Sequence, residues 1–405
     1  MEFFEVKSYT ETINIVQELV KGFSTREKIV SINDALNKVL AIDIFSKEDL
    51  PNFDKSTVDG YAVKAANTYG ATEAIPTLLS LIGAVSMGES FDGKIIDGQT
   101  VYVPTGAKIP SGANGVVMIE NSEVFGEQIA ISKSVANGAN ITKAGDDVAK
   151  NKIIAKAGER VTPFLIGVLA GIGINKVTIY DTLRFGIIST GDELVDIEEK
   201  VENGKVRDIN SYCIGALIKA FGEEVVFSLM IKDDYKTLIS NLDKATKIAD
   251  IVLISGGSSV GIKDYTYKAI EDICGEVKVK GVAIKPGKPT IIGSKGDVLI
   301  AGLPGHPMAA ALVFETVIKK AISLARREKA KVIAYAYAKS NFPSTPGRTT
   351  CQPINMYLEN GKMFIIPLFA KSGVISALKK ADGYIIIKEN DEGITEGRLV
   401  KVYSF

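Results

Sequence analysis

Between residues 183 and 325, short apolar runs alternate with segments that have the periodicity of amphipathic helices. Strands that alternate with helices of ten or more residues need crossover connections, and such connections favour a mainly parallel sheet. The stretch therefore predicts an α/β domain. Its predicted strands are 185–189, 225–231, 251–254, 290–292 and 298–301, and its predicted helices are 211–221, 235–248, 265–273 and 307–325.

The segment before this domain predicts two smaller units. Residues 11–20 and 31–40 are predicted as short helices, the second with Ser31 as its N-cap. Residues 51–147 contain short apolar runs between glycine, proline and asparagine clusters, which indicates a β-rich unit. A further helix is predicted over residues 162–171, because Thr162 is a favourable N-cap and a proline follows it.

The segment after the α/β domain predicts a final β unit. Residues 331–405 show strand-like alternation that is broken by turn dipeptides. The basic stretch before it, residues 326–331, is interpreted as a solvated hinge on the surface.

Composition argues against several classes of partner. The chain has 405 residues, enough for two to four domains, and 48 basic and 48 acidic side chains. A chain without net charge lacks the broad positive field that nucleic acid or an anionic membrane requires. Neither a signal peptide nor an apolar run of about 18 residues is found. We therefore expect a soluble, cytoplasmic protein with no nucleic-acid and no membrane partner.

The three cysteines predict no special chemistry. Cys213, Cys274 and Cys351 are far apart and odd in number, which argues against a disulfide framework or a zinc site. Buried, inert thiols in a reducing cytosol are the better interpretation.

Three glycine-rich loops follow predicted strands, where the ligands of open parallel sheets bind, and a fourth lies at 285–289. Their glycines allow backbone N–H groups to approach an anion, and two lysines add positive charge. No loop is a Walker A or dinucleotide fingerprint, which argues against a nucleoside triphosphatase or a nicotinamide enzyme. One such loop is usually only a tight turn, but four at one sheet edge predict a pocket for a phosphorylated or otherwise anionic ligand. The loops are 190–193, 255–261, 285–289 and 302–307.

Acidic residues also collect at the predicted strand ends. Helix capping alone is the simpler interpretation, and we favour it for Asp234. Carboxylates beside an anion pocket repel the ligand unless a cation lies between them, and Mg²⁺ bound by one or two carboxylates and phosphate oxygens would remove that conflict. We therefore predict a metal or catalytic role for Glu193 and Asp264.

His306 is the only histidine, so one chain cannot build a serine triad or a histidine-based zinc site. Two interpretations of His306 stay open. Its ring could face the anion pocket, where protonation would strengthen anion binding as the pH falls from 8 to 6. It could equally be a structural turn residue between Gly305 and Pro307.

Several segments, taken together, resemble the molybdopterin molybdenumtransferase family, which includes the C-terminal part of gephyrin. The resemblance covers essentially the whole chain, and the motifs occur in the family's order. They are P-N-F-D-K-S-T-V-D-G-Y-A at 51–62, P-T-G-A at 104–107 with V-V-M-I-E at 116–120, G-D-D at 145–147, S-T-G-D-E-L at 189–194, the S-G-G-x-S-V-G loop at 255–261, D-Y at 264–265 and K-P-G-K-P at 285–289.

The resemblance implies a multi-domain α/β plus β subunit that is elongated and dimerises. The expected parts are a helical linking domain (1–48 and 148–180), a projecting β-rich domain (49–147), a three-layer α/β molybdopterin-binding domain with a mainly parallel sheet (181–325) and a C-terminal β-barrel-like domain (326–405). The β-rich domain is expected to meet the pterin-binding pocket across the dimer.

The implied reaction transfers molybdenum from molybdate to adenylylated molybdopterin, with Mg²⁺-dependent release of AMP. The resemblance implies a homodimer, with molybdopterin adenylyltransferase as a candidate partner, and metal ligation by Glu193 and Asp264. The implied catalytic acids are Asp59, Asp147, Glu193, Asp233 and Asp264. The implied substrate-binding residues are Thr105, Thr190, Gly191, Ser255, Gly256, Gly257, Ser259, Gly261, Lys285, Pro286, Gly287, Lys288, Pro304, Gly305 and His306.

Three departures from the family pattern affect these expectations. Residues 304–309 read P-G-H-P-M-A where the family usually has P-G-N-P-V-S, and Thr142-Lys143 stands where an arginine is usual. Both changes fall among the expected anion contacts. The third change, Thr349 and Cys351 after Arg348, is expected to affect only the C-terminal β unit.

Two other functions remain as alternatives. A non-catalytic scaffold of the gephyrin type would not need the complete acidic set. Adenylyl transfer by the pterin-binding part would not need the two β units.

Overall fold

The computed structural model describes residues 6–256, 262–329 and 331–405, and it describes the side chains of all of these except 262–264. Contacts divide the chain into two compact units. One contains residues 6–42, 157–161 and 177–405, and the other contains residues 43–156 and 162–176. The four-part division expected from the sequence stays a prediction.

The first unit contains a six-stranded sheet in the order β16-β13-β17-β21-β20-β18. The first four strands pair in parallel, and β20 pairs antiparallel with both β21 and β18, so β20 alone runs against the other five strands and the sheet is mainly parallel as predicted. The strands are β13 (Arg184–Thr190), β16 (Glu224–Ile231), β17 (Ile251–Gly256), β18 (Val277–Val279), β20 (Ile291–Lys295) and β21 (Val298–Leu303). The helices are α1 (Tyr9–Ser24), α3 (Asn210–Phe221), α4 (Tyr235–Ala245), α5 (Ile262–Cys274), α6 (Pro307–Val313) and α7 (Lys320–Ala325), with a π-helical segment, Phe314–Lys319, between the last two.

Alternate residues of the central strands enter two separate apolar cores. Ile187 and Leu253 pack with α1, α3 and α6, whereas Ile188 and Ile254 pack with α4 and α5. Because successive side chains of a strand point to opposite faces, helices cover both faces of this sheet. The near-continuous apolar sequence of these strands is typical of such double burial.

The C-terminal part forms a closed five-stranded barrel, which confirms the predicted β-barrel-like domain. Its order is β24-β25-β22-β28-β26, and β26 pairs back to β24. The strands are β22 (Val332–Ala338), β24 (Thr349–Glu359), β25 (Lys362–Pro367), β26 (Gly383–Ile387) and β28 (Leu399–Tyr403). The unit is completed by β1 (Glu27–Ser31), β12 (Lys176–Tyr180), β14 (Leu194–Val195), β15 (Val206–Arg207), β19 (Ile284–Lys285), β23 (Phe342–Pro343), β27 (Gly393–Ile394) and helix α8 (Ser376–Lys380).

The second unit is built mainly from strands, as predicted for residues 51–147. Its main sheet has the order β7-β4-β6-β5-β9-β8. The strands are β2 (Ile44–Phe45), β3 (Lys55–Ser56), β4 (Gly60–Val63), β5 (Thr77–Ala84), β6 (Gln99–Val103), β7 (Gly115–Met118), β8 (Ser122–Phe125), β9 (Gln128–Ile131), β10 (Ile141–Thr142) and β11 (Ile153–Ala155), and its helix is α2 (Pro163–Gly171). The Thr162 hydroxyl accepts the N–H of Leu165 at 3.2 Å and caps α2 as predicted.

Two local predictions are wrong. Residues 31–40 form no α-helix, because only Ile32–Asp34 make a 3₁₀ turn, although Ser31 does cap it. Arg326 is no solvated hinge residue. Its side chain is 3% exposed, and its guanidinium pairs with Glu223 and donates to the carbonyl oxygens of Ser24 and Asp181. Its charge is therefore used inside the protein.

Within the described residues, no helix is long and apolar enough to cross a membrane.

Candidate active site: two adjoining cavities

A cavity of 310 Å³ opens at the carboxyl ends of the parallel strands. Among the described residues, five stretches of the chain line it, and they include Thr190, Ser255, Gly256 and Gly305, all predicted substrate contacts. The loops after β13, β17 and β21 thus meet at one place, as expected for an open parallel sheet. Glu193 and the buried Asp208 give this cavity two carboxylates, and Arg207 gives it one cation.

The turn after β13 is held in shape by Asp233. The Thr190 hydroxyl donates to Asp233 Oδ1 at 2.6 Å, and the Asp192 N–H donates to Asp233 Oδ2 at 3.2 Å. Both oxygens of this predicted catalytic acid therefore accept hydrogen bonds from the turn. Asp234 caps α4 by accepting the Thr237 N–H at 2.7 Å, as predicted.

Two glycines of the motifs leave room for neighbouring groups. A Cβ on Gly191 would lie 2.8 Å from Glu193 Oε2, so the Glu193 carboxylate occupies the space that a side chain would need. A Cβ on Gly256 would lie 2.5 Å from Thr190 Cγ2. The glycine pattern therefore allows close packing of the loops around the cavity.

A larger cavity of 1130 Å³ lies between the 285–289 loop and the C-terminal barrel. Lys285, Lys288, Arg348 and Lys371 line it, and no aspartate or glutamate does among the described residues. Pro286, Gly287, Pro304 and His306 also line it. Together with Lys285 and Lys288, six of the predicted substrate contacts therefore belong to this cavity. Its lining can neutralise an oxyanion.

Strand pairing brings the barrel to this loop. β19 pairs in parallel with β24, so that Ile284 lies opposite Thr349 and Lys285 opposite Thr350. The Lys285 ammonium donates to the Thr345 hydroxyl at 3.0 Å. The expectation that changes at Thr349 and Cys351 affect only the C-terminal unit is therefore wrong, because Arg348 and Cys351 both line the cavity.

His306 is among the residues that line both cavities. Its Nδ1 forms a 2.9 Å hydrogen bond with the Ser372 hydroxyl, and the Ser372 carbonyl accepts the Met308 N–H at 3.1 Å. The first turn of α6 is thus bonded to a barrel loop. The pH dependence of anion binding through His306 stays a prediction.

The second unit assembles its own group of motif residues. The Thr105 N–H donates to Asp59 Oδ1 at 2.7 Å. Asp54 pairs with Lys143 at 2.8 Å and accepts the Ala144 N–H at 2.9 Å. The side-chain hydrogen bond from Lys143 holds the pKa of the Asp54 carboxyl below its usual range. Motifs about 50 to 90 positions apart in sequence are therefore neighbours within this unit.

Asp147 lies in the same unit and is exposed, and its N–H donates to the Leu50 carbonyl at 3.0 Å. Gly60 is required by the sheet, since a Cβ there would lie 1.9 Å from the Val117 carbonyl oxygen.

Gly257, Ser259 and Gly261 and the side chain of Asp264 lie outside the described residues.

Sequence reasoning missed several residues that line the cavities. Ser189 and Asn210 line the smaller one, and Arg348, Lys371 and Ser372 line the larger one. Asn210 is the first residue of α3, so its place at a helix start was a usable signal. The barrel residues gave no signal, because their position depends on the β19–β24 pairing of segments about 65 positions apart.

The carboxylates near the smaller cavity fit a Mg²⁺ site in which the protein supplies only one or two of the ligands. Glu193 offers one half-buried carboxylate at the cavity wall. Among the described side chains, no group of three or more His, Cys, Asp or Glu residues is placed to hold a metal. Mg²⁺ commonly takes one or two carboxylates and fills its other positions with water and phosphate oxygens, so Glu193 fits such a site.

The three cysteines are free thiols. Burial raises the pKa of the Cys274 thiol to about 11 and raises those of Cys213 and Cys351 as well. Such thiols are poor nucleophiles at neutral pH.

Three family models match successive parts of the chain. They describe a MoeA N-terminal region (domain I and II) at residues 7–173, a probable molybdopterin binding domain at 186–323 and a MoeA C-terminal region (domain IV) at 335–405. A crystal structure of the molybdopterin biosynthesis MoeA protein of Pyrococcus horikoshii has a TM-score of 0.83 and 30% identity, and the alignment covers 99% of this chain and 100% of that one.

Full-length relatives agree with these matches. A putative molybdopterin biosynthesis protein of Methanocaldococcus jannaschii is 38% identical over 93% of this chain and 92% of the relative. The molybdopterin molybdenumtransferase of Bacillus subtilis is 30% identical over 92% of this chain and 88% of the relative. The chain therefore belongs to the MoeA family of molybdopterin molybdenumtransferases, the transferases of molybdenum cofactor biosynthesis.

Proposed function

We propose that the chain transfers molybdenum from molybdate to adenylylated molybdopterin, with Mg²⁺-dependent release of AMP. The observation that supports this reaction is the charge difference between the two adjoining cavities. Two carboxylates and Arg207 line the smaller cavity, whereas four cationic side chains and no carboxylate among the described residues line the larger one. A substrate with a neutral ring system at one end and phosphates at the other matches both linings.

The cationic cavity is the proposed place of the oxyanions. Lys285 and Lys288 come from one loop and Arg348 from the barrel, so they face the same space from two sides. Arginine offers a fork of donors that matches tetrahedral oxyanions, and lysine adds compact positive charge. These side chains would hold molybdate and phosphate near each other and offset the repulsion between two anions.

Glu193 is the proposed protein ligand of Mg²⁺, together with Asp264. When bound, the ion would neutralise charge on the phosphate oxygens while the bond to AMP breaks. Asp233 is proposed to act through the turn that it holds, because Thr190 and Asp192 occupy its oxygens. Asp59, Thr105 and Asp147 remain proposed members of the site.

The chain is proposed to act as a homodimer. Helix α2 has the sequence P-F-L-I-G-V-L-A-G, and of these residues only Leu169 is buried. Phe164 is 86% exposed. An apolar helix with so much open surface is typical of an interface, and a second copy of the chain is the proposed occupant.

The substitution Glu193→Gln tests the catalytic proposal. It keeps the shape of the side chain and removes the charge, so we expect the fold to persist and AMP release from adenylylated molybdopterin to fall by about 100-fold. Glu199→Gln in the following loop is the control, because Glu199 is exposed and does not line either cavity. Release of AMP and formation of the metal–dithiolene product are measured together against Mg²⁺ concentration. Unchanged turnover and Mg²⁺ dependence in Glu193→Gln would remove Glu193 from the proposal.

A further inference from the structure

Buried polar atoms without a partner are concentrated at the cavities. Within the described residues, four buried side-chain atoms have none, namely Ser24 Oγ, Ser189 Oγ, Asn210 Oδ1 and Thr350 Oγ1. Ser189 and Asn210 line the smaller cavity, and Thr350 lines the larger one. Native proteins pair nearly all buried polar groups, so an unpaired atom at a cavity wall points to a bond that a ligand completes.

The orientation of the Asn210 amide is fixed by its neighbours. Its Nδ2 donates to the Gly305 carbonyl oxygen at 2.9 Å and to Ser255 Oγ at 2.6 Å. A carbonyl oxygen can only accept, so the amide nitrogen must lie on this side. The unpaired Oδ1 is an acceptor, and its missing partner must therefore be an N–H or O–H donor.

Charge decides which part of the substrate supplies this donor. Glu193 and Asp208 line the same cavity, and the Arg207 guanidinium beside them is bonded to the Ile197 and Glu199 carbonyls, so an oxyanion that is not bound to Mg²⁺ is disfavoured there. A pterin ring has no negative charge at neutral pH and carries an amino group and a ring N–H beside a carbonyl. Asn210 Oδ1 can accept from that edge. The Ser189 hydroxyl can donate or accept, so it suits either neighbouring position.

We propose that Ser189 and Asn210 are specificity residues that hydrogen-bond to the donor edge of the pterin ring in the smaller cavity. The proposal rests on the function proposed above. Both residues are held firmly, since Ser189 is 1% exposed within β13 and Asn210 is bonded to two loops. A fixed acceptor of this kind discriminates against rings that lack the donor, because it would then stay unpaired.

Ser189→Ala gives a clean test, because the hydroxyl that it removes makes no hydrogen bond in the free protein. Ser24→Ala is the matched control. Its Oγ is equally buried and unpaired, but it ends α1 and lines neither cavity. The affinity for adenylylated molybdopterin is measured under anaerobic conditions by fluorescence quenching, and the melting temperature of each free protein is recorded beside it.

We expect Ser189→Ala to bind adenylylated molybdopterin about tenfold more weakly than wild type, the effect of losing roughly one hydrogen bond. Asn210→Ala should show at least the same loss. Ser24→Ala should bind within about twofold of wild type. Melting temperatures of both serine variants should stay at or above the wild-type value, because neither loses a bond.

A second measurement separates ring recognition from general damage. The affinity of Ser189→Ala for molybdate alone should equal that of wild type, since molybdate belongs to the other cavity. Equal loss of affinity for molybdate and for the pterin, or equal pterin affinity in Ser189→Ala and Ser24→Ala, would overturn the assignment. Failure of the wild-type protein itself to bind adenylylated molybdopterin would instead contradict the proposed function.

Discussion

Arg348 lies in the wall of the larger cavity, although the sequence placed it in a peripheral β unit. It follows Gly347 at a turn, and β24 begins with the next residue. Strand β24 then pairs with the strand that carries Lys285. Two cations from different parts of the chain are thereby fixed by backbone hydrogen bonds, which hold them close despite their mutual repulsion.

We predict that Arg348→Gln raises the molybdate concentration needed for half-maximal insertion by about tenfold or more, because a charge-assisted contact to the oxyanion is lost. The measurement is product formation against molybdate concentration. Lys339→Gln serves as the control, since Lys339 is an exposed barrel lysine paired with Glu359. Equal molybdate dependence in the two variants would show that Arg348 does not hold the oxyanion.

At the scale of elements, Asp250 ties several strands together where the parallel sheet begins. Its carboxylate accepts the Arg184 N–H at 2.8 Å, contacts the Arg184 guanidinium at 3.1 Å and contacts Arg26 at 2.8 Å. Its carbonyl accepts the N–H of Leu299 at the second residue of β21. Burial raises the pKa of this carboxyl, but hydrogen bonds from Arg184 and Arg26 outweigh it and hold the pKa below its usual range.

A carboxyl whose pKa is lower in the folded than in the unfolded protein stabilises the fold at any pH above its pKa in the unfolded protein, which is about 4. This contribution is lost as the pH falls through the pKa of the carboxyl in the folded protein. We predict that Asp250→Asn lowers the stability to urea at pH 7 by about 2 kcal/mol. The difference from wild type should shrink below about pH 4. The exposed Asp297→Asn should change little at either pH. A constant difference between Asp250→Asn and wild type across the pH range would contradict the assignment.

The elements themselves were largely predictable from the sequence. Strands and helices between 183 and 325 agree with prediction because their apolar periodicity is set by burial on both sheet faces. The prediction of a helix at 31–40 was wrong because residues 32–34 make only a single 3₁₀ turn. A serine N-cap such as Ser31 is the same signal for a short turn as for a long helix. The loops of the smaller cavity were predictable from strand ends, whereas the barrel side of the larger cavity depended on long-range pairing that periodicity does not encode.

At the scale of the whole molecule, the proposed dimer depends on helix α2. We predict that Phe164→Glu shifts the protein towards the monomer in sedimentation at micromolar concentration, because a charge would replace an apolar contact at the interface. Phe125→Glu is the control, as Phe125 is 69% exposed on β8 of the same unit. A dimer that persists equally in both variants would place the interface elsewhere.

The position of His306 between the two cavities has a consequence for inhibitor chemistry. A flat heterocycle and a tetrahedral oxyanion would occupy the two different cavities that His306 borders, so neither should displace the other. Two weak fragments of these kinds could therefore be present together. Joining them by a short tether over the imidazole would gain affinity from effective concentration, without any new contact to the protein.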